Sequence, residues 1–278
     1  MITSVTLLVL SLFALYIGAG WLVKGSTEIA LKAKISNLVI GLTTVAFGTS
    51  APELVVSLNA SLSGQGDIAV GNIIGSNIFN IAAILGISAA IQPLQAKRQL
   101  TRLDIPILIV ATAAFTLLFW NGVLGRLEGC FFYTVFSLYY SRKHEKKVEE
   151  QIGELEKQPE PWYKDVLYIV GGLVILIFAS NLLVNNAVSI AQELGVSEAV
   201  IGLTIVAAGT SLPELATSVV SALKKNPDIA IGNIVGSNLF NILAIAGTSS
   251  VVSPIAAKNV NYVDLLVMLG LTLLLLPP

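Results

Sequence analysis

Two glutamates, Glu53 and Glu214, are the only acidic residues deep within long apolar stretches of the 278-residue sequence. Each ends a Gly-Thr-Ser-x-Pro-Glu run, GTSAPE at 48–53 and GTSLPE at 209–214. A charged side chain at the bilayer centre costs about 2.5–3.5 kcal/mol on insertion scales, so it usually marks an ion or proton path. The alternative is a protonated glutamic acid that only links helices. The recurrence of the same residue beside the same hydroxyls argues against that alternative.

A proline directly precedes each glutamate and should release backbone oxygens. Pro52 and Pro213 cannot donate to the carbonyl four residues back, so the carbonyls of Gly48 and Gly209 are freed. At membrane depth, unwound carbonyls are tolerated where they line a cavity or coordinate an ion. A kink that serves packing alone is the alternative. Carbonyls, hydroxyls and a carboxylate are hard oxygen donors, which suit Ca²⁺ and would also suit Na⁺.

A second motif pair places polar side chains on one helix face. In DIAVGNIIGSNIFNI, which begins at residue 67, the spacing of four puts Asn72, Ser76 and Asn80 in line. In DIAIGNIVGSNLFNI, which begins at residue 228, the matching residues are Asn233, Ser237 and Asn241. We favour ion coordination for these faces over plain interhelical hydrogen bonding. The G-x-x-x-G pairs 71/75 and 232/236 predict close helix approach.

The two motif pairs belong to an internal repeat. Residues 41–54 recur at 202–215 and residues 67–81 recur at 228–242, both at an offset of 161 residues. The first copy begins in the second predicted span and the other in the seventh. Because this difference is odd, the copies should be oppositely oriented, as in many secondary transporters.

Composition places the chain in the membrane. Hydrophobic residues make up 55%, charged residues 12%, and the mean hydropathy is +0.82. The apolar runs predict an all-α polytopic membrane protein, with spans at Val5–Val23, Asn37–Leu62, Ile68–Ile91, Ile105–Trp120, Gly129–Tyr140, Val166–Val184, Ala199–Leu223, Ile229–Val252 and Tyr262–Leu276. Spans 2 and 7 should break at GTSxPE. The fifth run is about 18 Å of helix, which predicts an abbreviated span or missing residues.

A polar segment divides the chain into two transmembrane repeats of about five helices each. We predict a first repeat at 1–140, a loop at 141–164, and a second repeat at 165–278 whose last helix is missing. With the N-terminus outside, fourteen of the sixteen basic residues fall in inside loops. The positive-inside rule therefore predicts a multi-pass plasma-membrane protein with a cytoplasmic central loop.

Several classes of function find no support in the sequence. The net charge of −1 and the lack of a long basic block give no basis for nucleic-acid binding. One cysteine, Cys130, and one histidine, His144, argue against cysteine-based metal motifs and Ser-His-Asp hydrolysis. No G-x-x-x-x-G-K-[ST] run supports ATP-driven pumping. We therefore expect neither an enzyme nor an organic cofactor.

The paired motifs resemble the two alpha-repeats of the sodium/calcium exchanger branch of the calcium:cation antiporters, and the resemblance covers nearly the whole chain. It implies ten helices in two inverted halves, ion sites between spans 2, 3, 7 and 8, and alternating access by sliding of spans 1 and 6. It also implies the following ligands: bridging carboxylates Glu53 and Glu214; hydroxyl and carbonyl donors Thr49, Ser50, Thr210 and Ser211; carbonyl donors Ala46 and Ala207; flanking sodium-site residues Ser76 and Ser237; and central polar residues Asn80 and Asn241.

The expected function is Na⁺/Ca²⁺ antiport, with the bilayer and the transported Ca²⁺ and Na⁺ as partners. H⁺/Ca²⁺ exchange is the nearest alternative, because glutamates also carry protons. Protons need only the two carboxylates, whereas the Ser and Thr sets suit Na⁺. A Ca²⁺-permeable channel is a less favoured class, since inverted repeats are typical of alternating access. The residues do not decide the oligomeric state.

Overall fold

Long apolar helices make up almost all of the computed structural model, which describes residues 2–33, 36–94, 97–145, 161–195 and 207–276. We number its helices α1 Ile2–Ala33, α2 Asn37–Thr49, α3 Ala51–Leu62, α4 Gly66–Ile91, α5 Leu100–Leu118, α6 Arg126–Glu145, α7 Trp162–Glu193, α8 Ala207–Gly209, α9 Leu212–Leu223, α10 Pro227–Val252 and α11 Tyr262–Leu273. In the described residues, α1, α4, α5, α7 and α10 are long and apolar enough to cross a membrane. The bent pair α2–α3 makes a sixth span.

The fifth apolar run lies within a longer helix, α6. Helix α6 has 20 residues, which corresponds to about 30 Å, but it is not among the described helices that are apolar enough to cross a membrane, so a fifth crossing stays a prediction. The apolar run marks only part of it. The helix continues beyond Tyr140 through Ser141, Arg142 and Lys143, because basic residues are good helix formers.

A small strand pair is the one departure from helical structure in the described residues. β1 (Val123–Leu124) pairs antiparallel with β2 (Ile255–Ala256), with Val123 opposite Ala256. The chain reaches β1 through Gly122, whose φ of +77° is readily adopted only by glycine. This pair joins the loop before α6 to the loop before α11, and the protein remains an all-α polytopic membrane protein.

Burial separates a central helix from peripheral ones. The most apolar 18-residue stretch of α10 is entirely buried, whereas the corresponding stretches of α1 and α7 are 28% buried. Helices α1 and α7 pack against each other through glycines: a Cβ on Gly172 would lie 2.7 Å from the Gly18 carbonyl oxygen. The remaining faces of α1 and α7 expose large apolar side chains, including Phe13 and Phe178. In a membrane protein these faces suit lipid.

The second G-x-x-x-G pair brings α10 against α2, as predicted. A Cβ on Gly232 would lie 2.8 Å from the Leu38 carbonyl oxygen, and one on Gly236 would lie 2.7 Å from that of Leu42. At Gly71, in the first pair, a Cβ would meet no described atom within 4 Å. Close approach is therefore observed for one pair only in the described part of the chain.

We expect Gly236→Ala to lower thermal stability, because the new methyl group has no room between α10 and α2. Overpacking of this kind costs about 1–3 kcal/mol. The unfolding midpoint of the purified protein in detergent measures the effect. Gly270→Ala is the matched control, since a Cβ there meets no described atom within 4 Å. Equal midpoints for both variants would contradict the packing argument.

Contacts between helix ends agree with the predicted sidedness of the loops. Lys32, at the end of α1, forms an ion pair with Asp165 of α7. Lys97, before α5, contacts Asp228 of α10 at 2.9 Å. Lys224, just beyond α9, donates through Nζ to the Gly20 carbonyl of α1 at 3.0 Å, and burial and nearby Lys24 lower its pKa. The charge pattern assigns all these ends to the inner side.

A second set of contacts joins ends that the charge pattern assigns to the outer side. Asn259, before α11, donates through its side-chain amide to Asp67 Oδ2 of α4 at 2.9 Å. The β1–β2 pair connects two further outer loops. In these contacts of the described residues, predicted inner ends meet inner ends and predicted outer ends meet outer ends.

Candidate functional site

Both GTSxPE motifs break their helices. Ser50 separates α2 from α3 with φ −85° and ψ 10°, and the two helices meet at a 47° bend. Ser211 separates α8 from α9 with nearly the same backbone angles, −89° and 9°. Pro52 and Pro213 lie in the first turns of α3 and α9, where a missing N–H leaves no helical bond unmade. Each glutamate follows directly, in the first turn of its helix.

The two repeats exchange hydrogen bonds at the glutamates. Ser50 Oγ donates to Glu214 Oε1 at 2.7 Å, and Ser211 Oγ donates to Glu53 Oε1 at 2.9 Å. Each hydroxyl therefore reaches the carboxyl of the opposite repeat. Both glutamates are 1% exposed and lie close enough for their charges to repel each other. This reciprocity is the signature of a pseudo-twofold relation between the repeats.

One oxygen of each carboxyl remains without a hydrogen bond. Oε2 of Glu53 and Oε2 of Glu214 are fully buried and have no partner among the described residues. A buried acceptor without a partner is costly and calls for an explanation, such as an ion. Two such oxygens on neighbouring carboxyls are available to a cation.

Two asparagines of the predicted polar faces, which the family resemblance did not name as ligands, connect the halves of the site. Asn72 Oδ1 accepts from Thr210 Oγ1 at 3.3 Å, and Asn233 Oδ1 accepts from Thr49 Oγ1 at 3.1 Å. Their position on the polar faces of α4 and α10 was the available signal for this role.

The amide nitrogens of the same asparagines hold the glutamate backbones. Asn72 Nδ2 donates to the Glu53 carbonyl at 3.1 Å, and Asn233 Nδ2 donates to the Glu214 carbonyl at 3.4 Å. Each nitrogen also donates to a serine one turn beyond the glutamate, Ser57 at 2.9 Å and Ser218 at 3.0 Å. Each asparagine thus fixes the glutamate of its own repeat against the threonine of the other.

The other predicted polar residues are buried near this network. Ser76 is 2% exposed, Ser237 is fully buried, and neither hydroxyl has a partner in the described structure. Asn80 Nδ2 donates to Asn238 Oδ1 at 3.0 Å. Both side-chain polar atoms of Asn241 are buried without a partner among the described atoms. A π-helical turn begins at Asn80 and another at Phe240, a feature frequent at functional sites.

The predicted carbonyl donors are less open than the hydroxyls. The Ala46 carbonyl accepts from the Ser50 N–H at 3.0 Å and from Thr49 Oγ1 at 3.3 Å. The Gly209 carbonyl accepts from Ser180 Oγ of α7 at 2.7 Å, so a hydroxyl uses it in this structure. Ala207 begins α8, and its side chain lies outside the described part.

The chemistry of the site is that of neutral oxygens around two carboxylates. No group of three or more His, Cys, Asp or Glu occurs among the described residues. With both glutamates ionised the site carries a charge of −2, which one Ca²⁺ or two Na⁺ would neutralise. Six to eight oxygen ligands are typical of Ca²⁺ sites, and the hydroxyls and amides supply the neutral ones.

Comparison with known proteins gives the family. The family model for sodium/calcium exchanger protein matches residues 3–142 and 164–277. The chain is 38% identical to putative antiporter CaxA of Alkalimonas amylolytica, over 99% of this chain and 90% of that protein. It is 30% identical to sodium/calcium exchanger MaX1 of Methanosarcina acetivorans, over 97% of this chain and 89% of that one.

Solved structures agree with this assignment. The sodium-calcium exchanger NCX_Mj, soaked with Na⁺ and Sr²⁺, matches with a TM-score of 0.87 at 33% identity, over 99% of this chain and 90% of that chain. The chain is therefore a member of the sodium/calcium exchanger protein family, of the prokaryotic type.

Proposed function

We propose that this protein is a secondary active antiporter that exchanges Na⁺ for Ca²⁺ by alternating access. One observation carries the proposal: two buried carboxyls, held by hydroxyls of the opposite repeat, each keep one oxygen free of hydrogen bonds. Exchange that is coupled to an ion gradient requires a site that is stable with either cation bound and unstable when it is charged and empty. A site of charge −2 lined by neutral oxygens meets this need, since Ca²⁺ and two Na⁺ neutralise it equally.

The proposed ligands come from both repeats. Glu53 and Glu214 bridge the central cation, and Ser76 and Ser237 serve flanking Na⁺ ions with their unpartnered hydroxyls. The remaining proposed members are the hydroxyls and carbonyls of the two breaks and the amides of the central helices: Thr49, Ser50, Thr210, Ser211, Ala46, Ala207, Asn80 and Asn241. The family resemblance and the burial of those that the structure describes support these roles.

The counter-ion distinguishes Na⁺/Ca²⁺ exchange from H⁺/Ca²⁺ exchange. We favour Na⁺ because Ser76 and Ser237 supply oxygens that protons do not need. Vesicles loaded with the purified protein should take up Ca²⁺ when an outward Na⁺ gradient is imposed at constant pH. Uptake driven only by an outward H⁺ gradient would replace Na⁺ by H⁺ as the counter-ion. Uptake without any opposing gradient would indicate a channel.

We propose a plasma-membrane location with the N-terminus outside and the central loop in the cytoplasm. The positive-inside pattern supports this orientation, and the contacts between helix ends agree with its sidedness. Attaching a reporter that is active only in the cytoplasm to the segment 146–160 tests it. Activity of that reporter is the expected result, and its absence with an active reporter at the N-terminus would invert the orientation.

We expect Ca²⁺ transport to be independent of K⁺. Asn241 stands where the potassium-dependent exchangers of the resemblance have an aspartate, so the site charge stays near −2. Ca²⁺ already neutralises this charge, and a bound K⁺ would add an uncompensated buried charge. Na⁺-driven Ca²⁺ flux should be equal with K⁺ or an impermeant cation inside, at fixed membrane potential. An absolute requirement for K⁺ would contradict the argument, and Asn241→Asp supplies the converse test.

A further inference from the structure

Three buried hydroxyls lie away from the carboxyl pair and have no partner in the described structure. Thr217 and Ser221 belong to α9, and Ser88 belongs to the last turns of α4. All three side chains are fully buried. Their oxygens neither donate nor accept a hydrogen bond among the described atoms.

Other buried hydroxyls in these helices are satisfied locally. Thr112 donates to the Leu108 carbonyl at 2.8 Å, and Thr272 donates to that of Met268 at 2.7 Å. This bond to the carbonyl four residues back is the ordinary solution for a helical serine or threonine in a membrane. Thr217, Ser221 and Ser88 do not use it, so their buried hydroxyls are the groups that ordered water or a cation would satisfy.

The three residues extend from the site toward the ends of two helices. Thr217 and Ser221 follow Glu214 by three and seven residues, which puts all three on one face of α9. The rise from Glu214 to Ser221 is about 10 Å. The segment Gly86–Ile91, which carries Ser88, packs against α9. The hydroxyls thus continue the oxygen lining of the site toward ends that the charge pattern predicts to be cytoplasmic.

The first repeat lacks this hydroxyl row. At the repeat offset, Thr217 corresponds to Val56 and Ser221 to Ala60 of α3. Ser88 corresponds to Ser249, which is also buried without a described partner, so the asymmetry lies in α3 and α9. The pseudo-twofold relation that holds at the glutamates therefore fails at these two positions of α3 and α9. Packing alone gives no reason to place two buried hydroxyls without hydrogen bonds in one repeat and apolar residues in the other.

We propose that Thr217, Ser221 and Ser88 line the inner leg of the ion path, where they hold water and the cation that leaves Glu214. The inference rests on the proposed antiport function and extends it to a stretch of α9 beyond the ion site. Neutral hydroxyls can replace hydration oxygens of Na⁺ or Ca²⁺ without adding a charge that would retain the ion. The part of the path on the outer side, along α3, has the apolar residues Val56 and Ala60 at the matching positions and therefore lacks these hydroxyls.

Thiol accessibility tests the path without relying on transport. Ser221→Cys is made in a Cys130→Ser background, because Cys130 is the only native cysteine and is exposed. A membrane-impermeant thiol reagent should modify Ser221→Cys from the side where α9 ends. The matched variant Ala60→Cys should react at least about tenfold more slowly from either side. Lys225→Cys, just beyond α9, verifies that the reagent reaches that side.

Flux measurements supply a second readout. Thr217→Val with Ser221→Ala gives α9 the residues of α3, and we expect about tenfold slower Ca²⁺ exchange with equilibrium Ca²⁺ binding changed less than twofold. A merely structural role would lower binding and flux together. Unchanged flux together with an unreactive Ser221→Cys would overturn the inference while wild-type exchange persists. A wild-type protein without Na⁺/Ca²⁺ exchange but with a reactive Ser221→Cys would instead overturn the proposed function.

Discussion

Glu53→Gln and Glu214→Gln should each abolish Ca²⁺ transport while leaving the protein folded. Glutamine keeps the size of the side chain, and its amide oxygen can still accept from Ser211 or Ser50, which now donate to Oε1 of the glutamates. It removes half of the charge that neutralises Ca²⁺ at a desolvated site. Loss of a buried charge pair worth about 3 kcal/mol weakens binding about a hundredfold.

The reciprocal geometry makes the two variants equivalent tests. Each glutamate is 1% exposed and each accepts one hydroxyl from the opposite repeat, so we expect losses of similar size. Na⁺-driven Ca²⁺ uptake into vesicles measures transport, and the unfolding midpoint checks the fold. Glu128→Gln, at the start of α6 and outside the site, is the matched control and should retain uptake. Near-normal uptake by either site variant would remove that glutamate from the site.

Acid should weaken Ca²⁺ binding. A carboxyl that carries a proton cannot neutralise a cation, so protons and Ca²⁺ compete for Glu53 and Glu214. Binding Ca²⁺ releases whatever protons the two groups hold, and affinity therefore falls as pH falls. The expected change is about tenfold per pH unit for each proton displaced. Above the pH at which both groups are ionised, affinity should become constant.

Equilibrium Ca²⁺ binding to the purified protein between pH 8 and pH 5.5 measures this dependence. The Glu53→Gln variant should retain a shallower slope, because only one carboxyl is left to exchange a proton. An affinity that does not change across this range would argue against direct coordination by the carboxylates. A slope that Glu53→Gln leaves unaltered would assign the titration to another group.

The outline of the protein could be predicted from the sequence because its signals are local. Runs of about 20 apolar residues indicate spans wherever they occur. A constant offset of 161 residues reveals the repeat, and proline after Gly-Thr-Ser predicts the breaks that the structure shows at Ser50 and Ser211. The family also follows from these motifs. The boundaries of the two repeats and the ligand roles of individual residues stay predictions.

The lengths of the helices were harder to predict from the sequence pattern. The fifth apolar run marks only part of α6, because the helix extends into residues that are polar but still favour helix. The strand pair β1–β2 involves two residues from each loop, and the paired residues are 133 and 131 positions apart in sequence. Such short strands have no periodicity to detect. They form because the helices bring the two loops together.

What the sequence determined by itself is which residue types lie at membrane depth: two carboxyls, two Gly-Thr-Ser breaks and two polar helix faces. Only the tertiary structure decided which of these side chains contact each other. Ser50 could have served Glu53 of its own repeat, but helix packing carries it to Glu214, 164 positions away. The same packing makes Asn72 and Asn233 the links between repeats and leaves Thr217 and Ser221 without partners. Hydrogen bonds reach only about 3 Å, so they depend on the relative placement of distant helices, which no local pattern encodes.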